Sequence, residues 1–254
     1  MATADVCRLV GNRREALLVR QIGLDALGRL GQLPHVRVQV LSTLRDVMQR
    51  EPGNCLILSS ALHALGTIGS ASCVQMIRVV LRAELAPAIR AYWQTRVADL
   101  EHTPVARWPT LEQPVETQVQ LAMLWDRGST DADLPSSLDD FVAQQVQLIH
   151  AAGIAALGTL AQRNAALLPA IRELLLELAQ RNPTQLAAVQ QLAQLDQLDH
   201  GYPLHLAYEP LLRAAHTAPQ VRWQIIELLS KSGGYNAVLL SWLEDHSIDP
   251  FMRG

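Results

Sequence analysis

Aromatic side chains are scarce in this chain: Phe, Tyr and Trp make up 4% of it, with only two Phe. Strand-built cores draw on aromatic and β-branched clusters, so the shortage points to helices packed by aliphatic side chains. Cysteine is nearly as rare. Cys7, Cys55 and Cys73 stand at no metal or redox spacing, and an odd number without a CxxC pair fits a reducing compartment. Nor does one charge dominate. Lys and Arg number 21 against 24 Asp and Glu, a net −3, so no global basic field draws in nucleic acid. The opening MATADVCRLVGNRREALL has no continuous apolar run of the kind that marks a signal peptide. The longest uncharged run of small and apolar residues, Ala151 to Ala161, is too short to cross a bilayer. The expectation is a soluble, cytoplasmic protein without a membrane segment. GxSxG, P-loop, HExxH and GxGxxG patterns are all missing, and Ser, His and Asp are scattered. No catalytic residue, metal ligand or cofactor is therefore assigned, and the sequence reads as a non-enzyme.

What the chain has is repetition. Ala26-Leu27-Gly28-Arg29-Leu30-Gly31 returns as Ala64-Leu65-Gly66-Thr67-Ile68-Gly69, and again as Ala156-Leu157-Gly158-Thr159-Leu160-Ala161. A small-large-small triplet at the end of an apolar helix lets another helix approach closely, and a following Gly suits a left-handed cap. Eight residues ahead of Gly28 stands Val19-Arg20, and eight ahead of Ser230 stands Val221-Arg222. Aligning on this spacing gives six register positions: Gly28, Gly66, Ala98, Gly158, Ala193 and Ser230. They are separated by 38, 32, 60, 35 and 37 residues. The register Arg is kept at Arg20, Arg90 and Arg222 and replaced at Leu58, His150 and Gln185. A period of this length marks stacked helical repeats.

The pattern resembles the second helix of a HEAT repeat, including the lyase-type HEAT-like repeats. The resemblance implies an all-α, right-handed α-α superhelix, an armadillo-like solenoid of about five to six helical hairpins. Repeats are expected over 1–101 and 139–254, in one continuous domain interrupted by an insertion over 102–138. The insertion carries Pro104, Pro109, Pro114 and Pro135 and the run Asp126 to Asp133, which together exclude a single helix. A short helix, Val115–Trp125, is expected inside it, with a flexible loop around. Helices are expected at Arg13–Leu30 (second helix of a repeat whose first is short or missing), Val36–Arg50 after Pro34, Cys55–Ile68, Cys73–Leu85 with Ser72 as cap, and Pro87–Leu100. The series continues at Leu138–Ala161, Leu167–Arg181, Thr184–Leu195, Leu204–His216, Gln220–Ser232 and Tyr235–Leu243.

In such stacks the second helices line the concave face, which selects Asp25, Arg29, His63, Asp99, Gln190, Trp223, Glu227 and Lys231 as candidate binding residues. The surface mixes cations, carboxylates, amides and small residues. A nucleic-acid groove would want clustered Lys and Arg, so the expected partner is a protein or peptide bound by a scaffold or adaptor. A plain solvated face is the bland alternative. Two other functions belong to the same resemblance. HEAT-like DNA alkylpurine glycosylases use aromatic and acidic residues in a basic groove, and only Trp223 beside Glu227 resembles that here. A chromophore-lyase or chaperone-type subunit is the other. Asp196, Asp199, His200, His205 and Glu209 form the densest ionisable cluster, with His216 near the same helical stripe. HEAT-like iron enzymes carry repeated His-Glu dipeptides, which this sequence lacks, and helix capping accounts for the cluster better. Trp93 and Trp242 stand where helix packing would bury them; Trp108 and Trp125 fall in the insertion.

Overall fold

A computed structural model of the chain describes residues 3–101, 138–181, 184–196, 204–214 and 217–231, and for side chains the same residues except 97–101, 196, 204–207 and 231. The protein is all-helical, with no strand among the described residues. In chain order the helices are α1 (Thr3–Gly11), α2 (Leu17–Leu30), α3 (Pro34–Arg50), α4 (Cys55–Ile68), α5 (Ala71–Arg82) and α6 (Ala86–Glu101). After them come α7 (Leu138–Arg163), a 3-10 turn at Ala165–Leu167, α8 (Leu168–Ala179), α9 (Gln185–Asp196), α10 (Leu204–Arg213) and α11 (Pro219–Lys231). The expected insertion over 102–138, Leu138 apart, and the helices expected at Val115–Trp125 and Tyr235–Leu243 lie outside the described residues.

Two compact units divide the chain. The first takes Met1–Ile68 and Val79–Gly153, the second Gly69–Arg78 and Ile154–Gly254. The divisions fall within α5 and α7.

In the first unit α4 is the organising helix. Cys55, Ile57, Leu58, Ala61, Leu62, Ala64, Leu65, Gly66 and Ile68 are all buried, more than one stripe of a helix supplies. It is flanked by α2 and α3, while α1 packs on both α2 and α3. Helix α3 shows the ordinary amphipathic spacing, with Val40, Leu44, Val47 and Met48 buried. Asn54 starts α4, its side-chain oxygen accepting the Ile57 amide at 3.3 Å. The α2–α4 crossing is close at the first triplet: a Cβ on Gly28 would lie 2.9 Å from the Ala64 Cα. Gly153 on α7 meets Leu81 in the same way, 2.7 Å from its Cδ2. Trp93 (5% exposed) is buried on α6, edge-on to Phe141 of α7 with ring centroids 5.2 Å apart.

The two glycines that close the first two triplets behave differently. Gly69 has φ +78°, the left-handed cap the motif suggests. Gly31 does not: its φ is −65°, and what requires glycine there is space, since a Cβ would sit 2.7 Å from Ile68 Cγ1.

In the second unit α8 packs on α9, α9 on α11, and α10 on α11. Helix α8 buries Leu168, Ile171, Leu174, Leu175 and Leu178 on one face. Thr184, just ahead of α9, reaches back to the last turn of α8, the hydroxyl donating to the Leu178 carbonyl at 2.6 Å. Tyr208 is the buried aromatic of α10. Several expected boundaries change. Helix α5 starts at Ala71, so Ser72 is inside it, and Ser70 stands ahead with its hydroxyl 3.1 Å from Cys73 Sγ. Helix α10 holds Pro210 and stops at Arg213, short of His216; a mid-helix proline removes a donor and crowds the preceding turn.

Helix α7 has 26 residues and an 18-residue stretch of mean hydropathy 1.2, long and apolar enough to cross a membrane by length and composition. It exceeds the short apolar run visible in the sequence because Phe141, Val142, Val146, Leu148 and Ile149 extend the apolar pattern upstream. Of that stretch 56% is buried within the fold, as for a core helix.

Candidate functional site

The candidate positions sit on helices whose opposite sides are buried. In the first unit Arg29 and His63 are exposed and Asp25 half-exposed, on the neighbouring helices α2 and α4. Asp25 and Arg29 are four residues apart and form an ion pair at 2.9 Å. Both are well solvated, so the pair adds little stability and holds each charge at the surface. Gln21 bridges to Ser60 at 3.4 Å, tying α2 to α4 beside them. In the second unit Gln190 on α9 and Trp223 and Glu227 on α11 are exposed. Asp99 and Lys231 lie on α6 and α11, with their side chains outside the described residues.

Trp223 stands apart from the other described aromatics. It is 54% exposed, whereas Val221, Ile225 and Leu229 of the same helix are buried. Leu186, 38% exposed on α9, is a second apolar side chain open to solvent in this unit. The threonines of the series offer less to a partner. Thr67, Thr95 and Thr159 each donate to the carbonyl four residues back, at 3.1, 2.9 and 3.2 Å.

The register arginines turn inward instead. Arg20 is 3% exposed; its Nε donates to the Val10 carbonyl at 3.0 Å, and its two terminal nitrogens take both oxygens of Glu51. Arg222, 5% exposed, donates to the Ala214 carbonyl at 2.8 Å. Each therefore closes the end of the helix that precedes its own. Gln185, which the sequence register aligns with these arginines, is buried at the start of α9; its Oε1 accepts the Ala218 amide, just ahead of α11, at 3.3 Å. Arg90 differs, reaching out to pair with Asp139. His150 is half-buried on α7, with no hydrogen-bond partner for either ring nitrogen among the described residues, and loss of solvent pulls its pKa below the usual 6.5.

Of the ionisable cluster, Glu209 pairs with Arg213 on its own helix at 3.0 Å, while the side chains of Asp196, Asp199, His200, His205 and His216 lie outside the described residues. No group of three metal-ligating side chains occurs among the described residues.

One site escaped the sequence reading. A cavity of about 710 Å³ opens at the amino end of α2, lined among others by Arg13, Arg14, Arg50, Glu51, Tyr92 and Arg96. Helix α2 starts at Leu17, four residues later than expected, which leaves Asn12 to Ala16 as a turn at this opening. The signal was in the sequence: Asn-Arg-Arg-Glu holds no apolar residue and precedes the helical stripe. The chain matches no protein-family model, no curated protein and no solved structure.

Proposed function

We propose that the chain is a HEAT-like helical-repeat module, a superhelical solenoid that binds a protein or peptide partner along its second helices. Support for the repeat comes from equivalent duties at equivalent places. Arg20 and Arg222 each bond a carbonyl at the end of the preceding helix. Arg20 and Gln185 each reach the turn that leads into a later second helix, at Glu51 and at Ala218. Side chains repeat their tasks in this way when hairpins stack in register.

The observation that carries the binding reading is Trp223, more than half exposed between buried neighbours. A solvent-facing indole offers large apolar area and one donor at low entropic cost, the profile of an interface anchor. The mixed charge of Asp25, Arg29 and Glu227 suits a polypeptide and not a phosphate backbone.

The test is affinity capture with the wild-type chain and with Trp223→Ala, melting temperature being measured on both. The substitution should weaken capture of a specific partner by about 2 kcal/mol while leaving the melting temperature unchanged. Recovery of the same proteins in equal amount removes Trp223 as the anchor. Tight duplex-DNA binding with a steep salt dependence overturns the adaptor reading in favour of a glycosylase-like one.

A further inference from the structure

The cavity at the amino end of α2 lies wholly within the first unit, and none of the eight candidate binding residues lines it. Its wall carries five arginines, Arg13, Arg14, Arg20, Arg50 and Arg96, against Glu15 and Glu51. The acids are already engaged. Glu51 is held by Arg20 and approached by Arg13 Nε at 3.5 Å, and Glu15 accepts from Asn12 Nδ2 at 3.1 Å. Arg14 has no carboxylate within ion-pair distance among the described residues. Arg50 reaches Asp46 only at 3.9 Å. The lining therefore holds positive charge beyond what its own acids neutralise.

The backbone adds to this field. Helix α2 has 14 residues, no acidic residue in its first turn and no side-chain cap from Ala16. Ala16 and Leu17 form part of the wall, so an uncapped amino end, with its unsatisfied amides and partial positive charge, borders the arginines. The floor is fixed by packing: the turn through Gly53 fits so closely against Ala88 and Tyr92 of α6 that a side chain at 53 would collide with both. A volume of about 710 Å³ falls in the range of small-molecule sites.

We propose that this cavity binds a small polyanion carrying phosphate or carboxylate groups, with Arg14 and Arg50 as its principal ligands and the amino end of α2 as a third contact. Guanidinium forks recognise both groups by paired hydrogen bonds, and neither arginine has to surrender a buried partner to do so. Arg20 keeps Glu51 and shapes the floor.

Titration calorimetry on the full chain, with pyrophosphate and with citrate as probes, tests the site. Saturable binding at one site per chain is expected. Arg14→Gln and Arg50→Gln should each weaken it about tenfold, the loss of one charge-assisted contact, without altering the ligand-free melting temperature. Glu15→Gln should strengthen binding several-fold, a gain that misfolding cannot produce. Arg45→Gln, exposed on α3 and outside the cavity, should change nothing. Preference for pyrophosphate assigns the ligand to the phosphates, and preference for citrate to the polycarboxylates. Absence of saturable binding at millimolar probe, equal binding by the Arg14→Gln/Arg50→Gln double variant, or displacement by chloride at matched ionic strength overturns the proposal.

Discussion

The two units place a polar joint at the same point and build it differently. In the first, the amino end of α2 is tied to the turn before α4 by Arg20 and Glu51, a bidentate ion pair with side chains 4% and 10% exposed. In the second, the amino end of α9 is tied to the turn before α11 by a neutral amide, Gln185, accepting from Ala218. A buried charge is costly unless its partner stays in place, whereas a buried amide loses one modest bond. The first joint is therefore brittle and specific, the second forgiving. Net stability need not differ between them, because a buried ion pair returns little beyond its desolvation cost.

The sharpest way to break this comparison is Arg20→Ala. It strands Glu51 beside the more exposed Arg13 and should lower unfolding free energy by about 3–5 kcal/mol in urea denaturation. A loss as small as that of an ordinary hydrogen bond would show that the ion pair is solvated. Gly28→Leu comes next. Its side chain meets the Ala64 backbone, so a loss of about 1–3 kcal/mol is expected. Gly158→Ala in the second unit should cost less, since the obstructing group there is the end of the Gln191 side chain, which can swing away. Equal losses at the two glycines would erase the contrast. Gln185→Ala should cost about 1 kcal/mol, the value of one neutral hydrogen bond.

The smallest effect is a slope. The folded-state pKa of His150 is depressed, so the unfolded chain takes up the proton first as pH falls. The stability that depends on neutral His150 is complete above pH 6.5 and is lost as pH drops from there through the lower folded value. His150→Gln should flatten this part of the pH–stability curve, read from melting temperature.

Helices were legible wherever the chain punctuates itself. Pro34 opens α3, and the Glu-Pro-Gly-Asn turn and Gly69 bracket α4, whose expected span Cys55–Ile68 is the one found. Local backbone chemistry writes such marks directly into sequence. The joints were not legible. Arg20 was visible only as a recurring register residue, and Glu51 only as the residue after an expected helix end. Their pairing across 31 residues depends on how α2 and α4 pack, which neither local sequence encodes. The same holds for the cavity: Arg13-Arg14 and Arg50 are ordinary surface charges until the fold brings them to one wall. Gly31 shows the converse limit. The motif selected the right residue for a positive φ that it does not adopt, because the demand there came from Ile68.

The three thiols have a practical consequence. Cys55 is 4% exposed in the first unit and Cys73 fully buried in the second, while Cys7 is half-exposed. Alkylating reagents should modify Cys7 in the native protein, and the other two only when their surroundings open. Each unit thus contains its own chemical clock. With Cys7 replaced by Ser, the modification rates of Cys55 and Cys73 in rising urea measure the two opening equilibria separately, without a fluorophore. Parallel rates would mean that the units open as one cooperative body, and diverging rates would rank them.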